Sequence, residues 1–192
     1  MSAIRDRRER ERAQRHQLII TAARELAEAE GWEAVTTRRL AERVEYSQPV
    51  LYSHFSGKDA IVRAVALDGF AELAAHLRRI RLAAPGLRQA LHDVCRAYLE
   101  FATERPALYQ AMFVMPTDVK FAHAETPPPL LDCFQEFVGC VHPDTPGREL
   151  VAEVVWSALH GIATLSDSGR IPLEFQSERL EFLVSRLGDA AP

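Results

Sequence analysis

Between Thr36 and Lys58 the chain carries two stretches of helical periodicity, each about two turns long, separated by a break of only a few residues. Leu40, Ala41 and Val44 mark the inward face of the first, with Thr36 or Thr37 placed to cap its start. The break falls at Glu45-Tyr46. Ser47-Gln48-Pro49 then opens the second stretch: Ser47 can cap it, and Pro49 sits in the first turn, where its missing N–H does no harm. Upstream, Leu18, Ile19, Ala22, Ala23, Leu26 and Ala27 form one apolar stripe on a helix from about Arg8 to Glu30, and Gly31 ends it. Two short helices joined by a tight turn after a longer supporting helix is the helix-turn-helix arrangement.

The rest of the chain is also helical in pattern, with no period-2 alternation. Ser56-Gly57-Lys58-Asp59 reads as a capping box that starts a long helix to about Leu82, ended by Pro85-Gly86. Further helices are expected around Leu87–Phe101, Leu108–Phe113, Leu130–Val141, Gly147–Asp167 and Pro172–Leu187, with proline-containing breaks between them. The expected class is all-α: a three-helix head over residues 1–60 and a helical bundle over residues 61–192. No apolar run approaches the ~20 residues that span a bilayer, and the arginine-rich start lacks the apolar core of a signal peptide. Three cysteines without framework spacing suit a reducing cytoplasm.

The net charge of -4 looks wrong for a nucleic-acid binder until it is divided along the chain. Residues 1–60 hold eleven Lys/Arg against ten Asp/Glu, and residues 61–192 hold twelve against seventeen. The head is therefore barely basic, so binding must rest on placed groups. On the second short helix, Gln48 can make paired hydrogen bonds to an adenine edge, and Pro49 and Val50 suit a thymine methyl. Tyr52 can reach a phosphate or a base. Thr37 offers a hydroxyl and a helix start to a phosphate, while Arg38 can reach a phosphate or a guanine edge. Lys58 lies near the expected backbone path. Six arginines between Arg5 and Arg15, set among Asp6, Glu9 and Glu11, can follow the duplex, enter the minor groove, or form a solvated arm.

The segment VTTRRLAERVEYSQPVLYSHFSGKDAIVRAV resembles the DNA-binding domain of the TetR family, over about residues 14–65. The resemblance implies backbone contacts from Thr37, Tyr52, His54 and Lys58 and base contacts from Arg38, Gln48, Pro49 and Val50. Thr36 and Ser47, at the two helix starts, complete the candidate DNA-binding set. Family members usually carry Gly where this chain has Glu45. A positive φ there would cost a non-glycine residue on the order of 1 kcal/mol.

Downstream, VVWSALHGIATL and RPALYQAMF resemble the C-terminal domain of a TetR subfamily marked by a Trp…His-Gly motif, here Trp156, His160 and Gly161. The i, i+4 spacing puts Trp156 and His160 on one helix face, and Gly161 would let another helix approach. Val151, Val154, Val155, Ala158, Leu159, Ile162 and Leu165 make that helix apolar around most of its circumference, so a twin chain is expected to cover what its own bundle does not. The last helix can complete a four-helix dimer seam. The resemblance also implies a small-molecule cavity, for which Tyr98, Phe101, Tyr109, Met112, Phe113, Trp156 and His160 are the candidates, each with a plain core role as the alternative.

The expectation is a homodimeric regulator, a repressor released from a near-palindromic operator by an effector; the alternatives are an activator or a thiol- or metal-responsive regulator on the same fold. No nucleophile–base–acid grouping, phosphate loop or metal-spaced pair stands out, so neither enzymatic activity nor a cofactor is expected. His123, Cys133, Cys140 and His142 form the one cluster to weigh for a metal. Cys133 and Cys140, seven apart, are about 10 Å from each other along a helix, too far for one ion.

Overall fold

The computed structural model describes residues 2–117, 121 and 124–187. Among them every regular element is a helix: α1 (Ser2–Glu30), α2 (Thr37–Arg43), α3 (Gln48–His54), α4 (Lys58–Ala83), α5 (Leu87–Glu104), α6 (Pro106–Phe113), α7 (Pro128–Val138), α8 (Arg148–Asp167) and α9 (Gln176–Leu187). Short 3-10 turns occupy Trp32–Ala34 and Leu173–Phe175. Two compact units result, Met1–Asp68 with Ala107–Val119 and Gly69–Pro106 with Lys120–Pro192. The boundary between them runs inside α4.

In the first unit α1 buries Ile19, Ala22, Ala23, Leu26 and Ala27, the expected stripe. Trp32, Val35, Leu40, Leu51, Phe55, Ile61 and Val65 are buried in the same unit. Removing side chains of this size from water stabilises the unit by roughly 1.5–3 kcal/mol each. Leu18 is the exception to the stripe, at 45% exposure. Helix α1 also begins earlier than its apolar periodicity announces. Arg5–Glu9 and Arg7–Glu11, at 2.9 and 2.8 Å, are i, i+4 ion pairs that carry the helix back to Ser2.

The reversal between α2 and α3 is closed by the backbone. Thr36 is the N-cap of α2, its hydroxyl accepting from Arg39 N at 3.2 Å. At the other end Glu45 N donates to Glu42 O (3.3 Å) and Tyr46 N to Ala41 O (2.9 Å). These two bonds form a Schellman motif, whose penultimate residue must be left-handed. That residue is Glu45, at φ 56°, alone among the described non-glycine residues in having a positive φ. Ser47 occupies the N-cap position of α3, but its side chain makes no capping bond.

In the second unit α5 buries Leu91, Val94, Cys95, Tyr98, Leu99 and Phe101. An ion pair between Arg81 and the buried Glu136, 2.7 Å, ties α4 to α7. It passes over Gly139, where an added Cβ would stand 2.8 Å from the Arg81 guanidinium. Helix α7 starts at Pro128, since the first turn of a helix accepts prolines, and stops at Val138, short of the expected Val141. Among the described residues only one side of α8 is covered: Ala152, Val155, Leu159 and Ala163 are buried, while Leu150, Val154 and Leu165 are exposed. A Cβ at Gly161 would meet nothing within 4 Å among the described residues.

Replacing Glu45 by Gly relieves the left-handed strain and returns part of the gain through a freer unfolded chain. Glu45→Gly is therefore expected to stabilise the first unit by about 0.5–1 kcal/mol, read as a raised urea midpoint at unchanged m-value. A lowered midpoint would show that the Glu45 side chain, rather than its backbone, stabilises the turn.

Candidate nucleic-acid interface

Helix α3 is short, and its two faces differ sharply in exposure. Leu51 is fully buried and Phe55, the C-cap, nearly so. Ser47, Gln48 and Pro49 are exposed, Val50 is half-buried, and Tyr52 is 52% exposed. That exposure rules out a Tyr52 packed beneath the turn. Its hydroxyl lies 3.4 Å from Thr37 Oγ1, which brings the two candidate phosphate contacts together from opposite sides of the turn. Arg38 is exposed and only loosely held by Glu42, 3.7 Å away.

The platform beneath them is fixed from α1. Arg39 grips Glu30 with both terminal nitrogens, at 2.9 and 2.8 Å, and Arg43 bonds Glu25 at 2.9 Å. The Arg39 hydrogen bond holds the Glu30 carboxyl below its ordinary range, against a smaller opposing effect of burial. At the far end of α3, Arg12 Nη2 donates to the Ser53 carbonyl at 3.4 Å, and the His16 ring stacks on Phe55 at 4.3 Å. His54 is half-buried, with its Nδ1 enclosed and unpartnered, and its ring stands 6.1 Å from that of His16. Burial and the nearby Arg12, His16 and Arg15 hold its imidazole below the ordinary histidine range.

Lys58 is not a free cation at the mouth of the site. Its Nζ donates to the Trp32 carbonyl at 2.6 Å, leaving two of its three N–H donors for other partners. Trp32 is itself anchored: its indole Nε1 donates to Ala107 O at 2.8 Å. The Glu28 carboxylate accepts from Ala107 N and Leu108 N, at 3.2 and 2.9 Å, and so satisfies the start of α6. Helix α6 thus belongs physically to the first unit. Sequence periodicity gives no sign of Glu28 or Trp32 in this role, because their partners lie more than 70 residues away.

The seven residues singled out for a small-molecule cavity fall in both units. Tyr109, Met112 and Phe113 are in the first, where Tyr109 and Met112 are buried and the Tyr109 and Phe113 rings stand 4.7 Å apart. Tyr98, Phe101, Trp156 and His160 are in the second. There Trp156 Nε1 donates to Tyr98 Oη at 3.2 Å, and the rings of Trp156 and His160 stand 6.3 Å apart on α8. Phe121 stacks on Trp156 at 6.4 Å, and Phe137 meets Tyr98 edge-on at 5.7 Å. Burial lowers the His160 pKa. The Phe101 ring lies under the Arg105 guanidinium.

Cys95, Cys133 and Cys140 are free and buried, and burial pushes the thiols of Cys133 and Cys140 up to about 12. They pack as small apolar groups. No group of three or more His, Cys, Asp or Glu among the described residues could hold a metal ion, and His123 lies outside those residues. No helix among the described residues is long and apolar enough to cross a membrane.

The model of the bacterial regulatory proteins of the tetR family matches residues 19–65, and that of the tetracyclin repressor-like C-terminal domain matches residues 91–187. An uncharacterized HTH-type transcriptional regulator of Bacillus subtilis (strain 168), YobS, is 31% identical over 94 residues, 49% of each chain. The class C tetracycline repressor protein of Escherichia coli is 50% identical over 48 residues, 25% of this chain and 22% of that protein. The chain thus spans half or less of the length of these curated relatives. Among solved structures, a protein of unknown function from Rhodococcus sp. RHA1 superposes with a TM-score of 0.72 at 22% identity, covering 90% of this chain and 92% of that one. A TetR-family regulator from Pectobacterium atrosepticum gives 0.69 at 20% identity, covering 93% and 92%. FadR of Bacillus subtilis, solved with stearoyl-CoA, gives 0.63 at 12% identity, covering 88% and 97%. At such identities the likeness speaks for the fold.

The His54 environment has a consequence in pH. Its folded pKa is depressed, so the unfolded chain takes up the proton first as pH falls. The stability involved is fully present above the ordinary value of 6.5 and is lost as pH drops from there through the folded value. His160 is depressed in the same direction. His54→Gln is expected to remove part of the loss of stability between about pH 7 and pH 5, measured as urea midpoints across that range. An identical pH profile in the variant would mean that the unfolded chain and the folded head bind the His54 proton equally.

Proposed function

The chain belongs to the TetR family of bacterial regulatory proteins, and on that premise we propose that it is a homodimeric repressor, released from a near-palindromic operator by a small-molecule effector. The observation that carries this reading is the two-faced α3, with Leu51 and Phe55 held inside while Gln48, Pro49 and Tyr52 stand in solvent at the end of a closed turn. In this reading residues 1–60 bind DNA, and residues 61–192 dimerise and sense the effector. Gln48, Pro49 and Val50 form the base-reading edge, joined by Arg38. Thr37, Tyr52, His54 and Lys58 hold phosphates, with Thr36 and Ser47 at the helix starts.

Dimerisation is supported by the face of α8 that the described residues leave uncovered. Leu150, Val154, Gly161 and Leu165 share one helical stripe, and Phe182 on α9 is 65% exposed. Apolar side chains in such a row call for a partner surface, and the same row on a twin supplies it. Two heads joined in this way would read half-sites about one duplex turn apart, ~34 Å. The Trp156–His160–Gly161 motif supports the finer assignment to the Trp…His-Gly subfamily, with Tyr98, Phe101, Trp156 and His160 at the effector site. Tyr109, Met112 and Phe113 are the candidates from the first unit. The aromatic character of these residues suits an effector with a substantial apolar body.

An effector that prefers heads unable to span both half-sites lowers operator affinity by its difference in binding free energy between the two states. Selection of DNA sites from a random pool by the purified full-length protein tests the core of the reading. Gln48→Ala should weaken binding by about 1–3 kcal/mol and relax the preference at one position of each half-site. Val154→Arg with Phe182→Glu should yield a monomer by sedimentation and remove cooperative occupancy of paired half-sites. Selection of no sequence by the wild type, or an unchanged preference in Gln48→Ala, would refute the reading of Gln48 as a base-contacting residue.

A further inference from the structure

We propose that the N-terminal half of α1 is a second DNA-binding surface, a rigid arginine rail that holds the sugar-phosphate backbone beside the segment read by α3. The inference rests on the DNA-binding reading above and extends it to residues outside the helix-turn-helix. Its basis is a change in the character of one helix face. At about 100° per residue, Arg5, Arg8, Arg12 and Arg15 lie within about 80° of one another, in line with Ile19, Ala23 and Leu26. Those three apolar residues are buried in the head. The face that packs on the head core thus becomes a row of guanidinium groups where the head ends. Residues 4–10 are all exposed. Ile4, Arg5, Arg8, Glu9 and Arg12 border one shallow hollow, as residues on a common face must.

The row is tied in position to the recognition helix. Arg12 donates to the Ser53 carbonyl in the last turn of α3, and His16, one turn further along α1, stacks on Phe55. A duplex seated on Gln48, Pro49 and Tyr52 therefore has the arginine row at a fixed offset beside it. Arg8, Arg10 and Arg15 make no side-chain hydrogen bond or ion pair among the described residues. The Arg5–Glu9 pair is solvated, with 81% and 63% of its side chains exposed, and such pairs yield readily to a phosphate. From Arg5 to Arg15 the helix rises about 15 Å, the length of four to five base-pair steps. An α-helix is about 10–12 Å wide with its side chains, too wide for a minor groove of about 6 Å. The helix body therefore stays outside the minor groove, and a rail that follows the phosphates contributes affinity without sequence preference.

The test compares full-length wild type, an Arg5→Gln/Arg8→Gln/Arg15→Gln variant and an Arg7→Gln/Arg10→Gln variant on a DNA site that the wild type selects. Arg12 is left intact because of its bond to α3. Each phosphate that is no longer neutralised makes the dependence of log K on log salt shallower by about 0.9, so the triple variant should show a slope smaller by roughly 2–3 per bound protomer. Its base preferences should be unchanged, and its hydroxyl-radical footprint should shorten beside each half-site. The opposite-face double variant should keep the wild-type slope, and lysines in place of the three glutamines should restore it. An equal fall in slope for both variants would reduce the effect to bulk charge and overturn the proposal. So would an unchanged slope in the triple variant, while sequence-selective binding by all three proteins would leave the helix-turn-helix reading standing. A wild type that binds no DNA would overturn both.

Discussion

The left-handed residue at the end of α2 sets the direction in which α3 leaves, and with it everything α3 presents to solvent. Glu45 at φ 56° allows its own N–H and that of Tyr46 to return to carbonyls of α2, so the chain reverses within the four residues between α2 and α3 and leaves no long loop to absorb error. With α3 aimed by this turn, burial of Leu51 and Phe55 fixes its rotation. Gln48, Pro49, Tyr52 and Ser53 are left outside, while Val50 and His54 remain half-buried. A residue with a Cβ holds this conformation at a cost, and the hydrogen bonds that close the turn offset it.

The first unit includes more than a helix-turn-helix. Glu28 supplies the carboxylate that the start of α6 requires, and Trp32 clasps the same segment through Ala107 while its own carbonyl holds Lys58. Each bond satisfies a group that would otherwise be buried or left at a helix end without a partner. A lysine assigned to phosphate is therefore also structural. Substitution of Lys58 would disturb the Trp32 carbonyl as well as any contact with DNA, which makes it a poor single probe of binding.

Charge in this protein works by placement. The head is nearly neutral in sum, and two of its arginines, Arg39 and Arg43, are committed to carboxylates that brace α1 against α2. Arg38 is only loosely paired, and four arginines fall in a row along α1. A net charge close to zero gives little long-range attraction for DNA, so in the proposed function affinity would come from groups already standing where phosphates would lie. The bundle meets the opposite problem, since the outer stripe of α8 has too few polar groups to face water comfortably.

Much of this was legible in the residues themselves. The helices around Leu40, Leu51 and Leu159, the stop at Gly31 and the strain at Glu45 follow from periodicity and local stereochemistry, which act within a few residues. The exposure of Pro49 was legible for the same reason, since at about 100° per residue it points well away from Leu51 and Phe55; Gln48 shares their stripe at i, i+3 and i+7, and its exposure was decided by the tertiary structure. Charge pairs at i, i+4 were equally local, yet the extension of α1 to Ser2 was missed because its periodicity is one of charge and carries no apolar stripe. What the tertiary structure alone decided lies between residues far apart in the chain. The clasp of α6 by Glu28 and Trp32, the second role of Lys58, the cations around His54 and the bond from Arg12 to the last turn of α3 all join groups more than 25 residues apart. Such contacts arise from how helices pack, and no spacing along one helix encodes them.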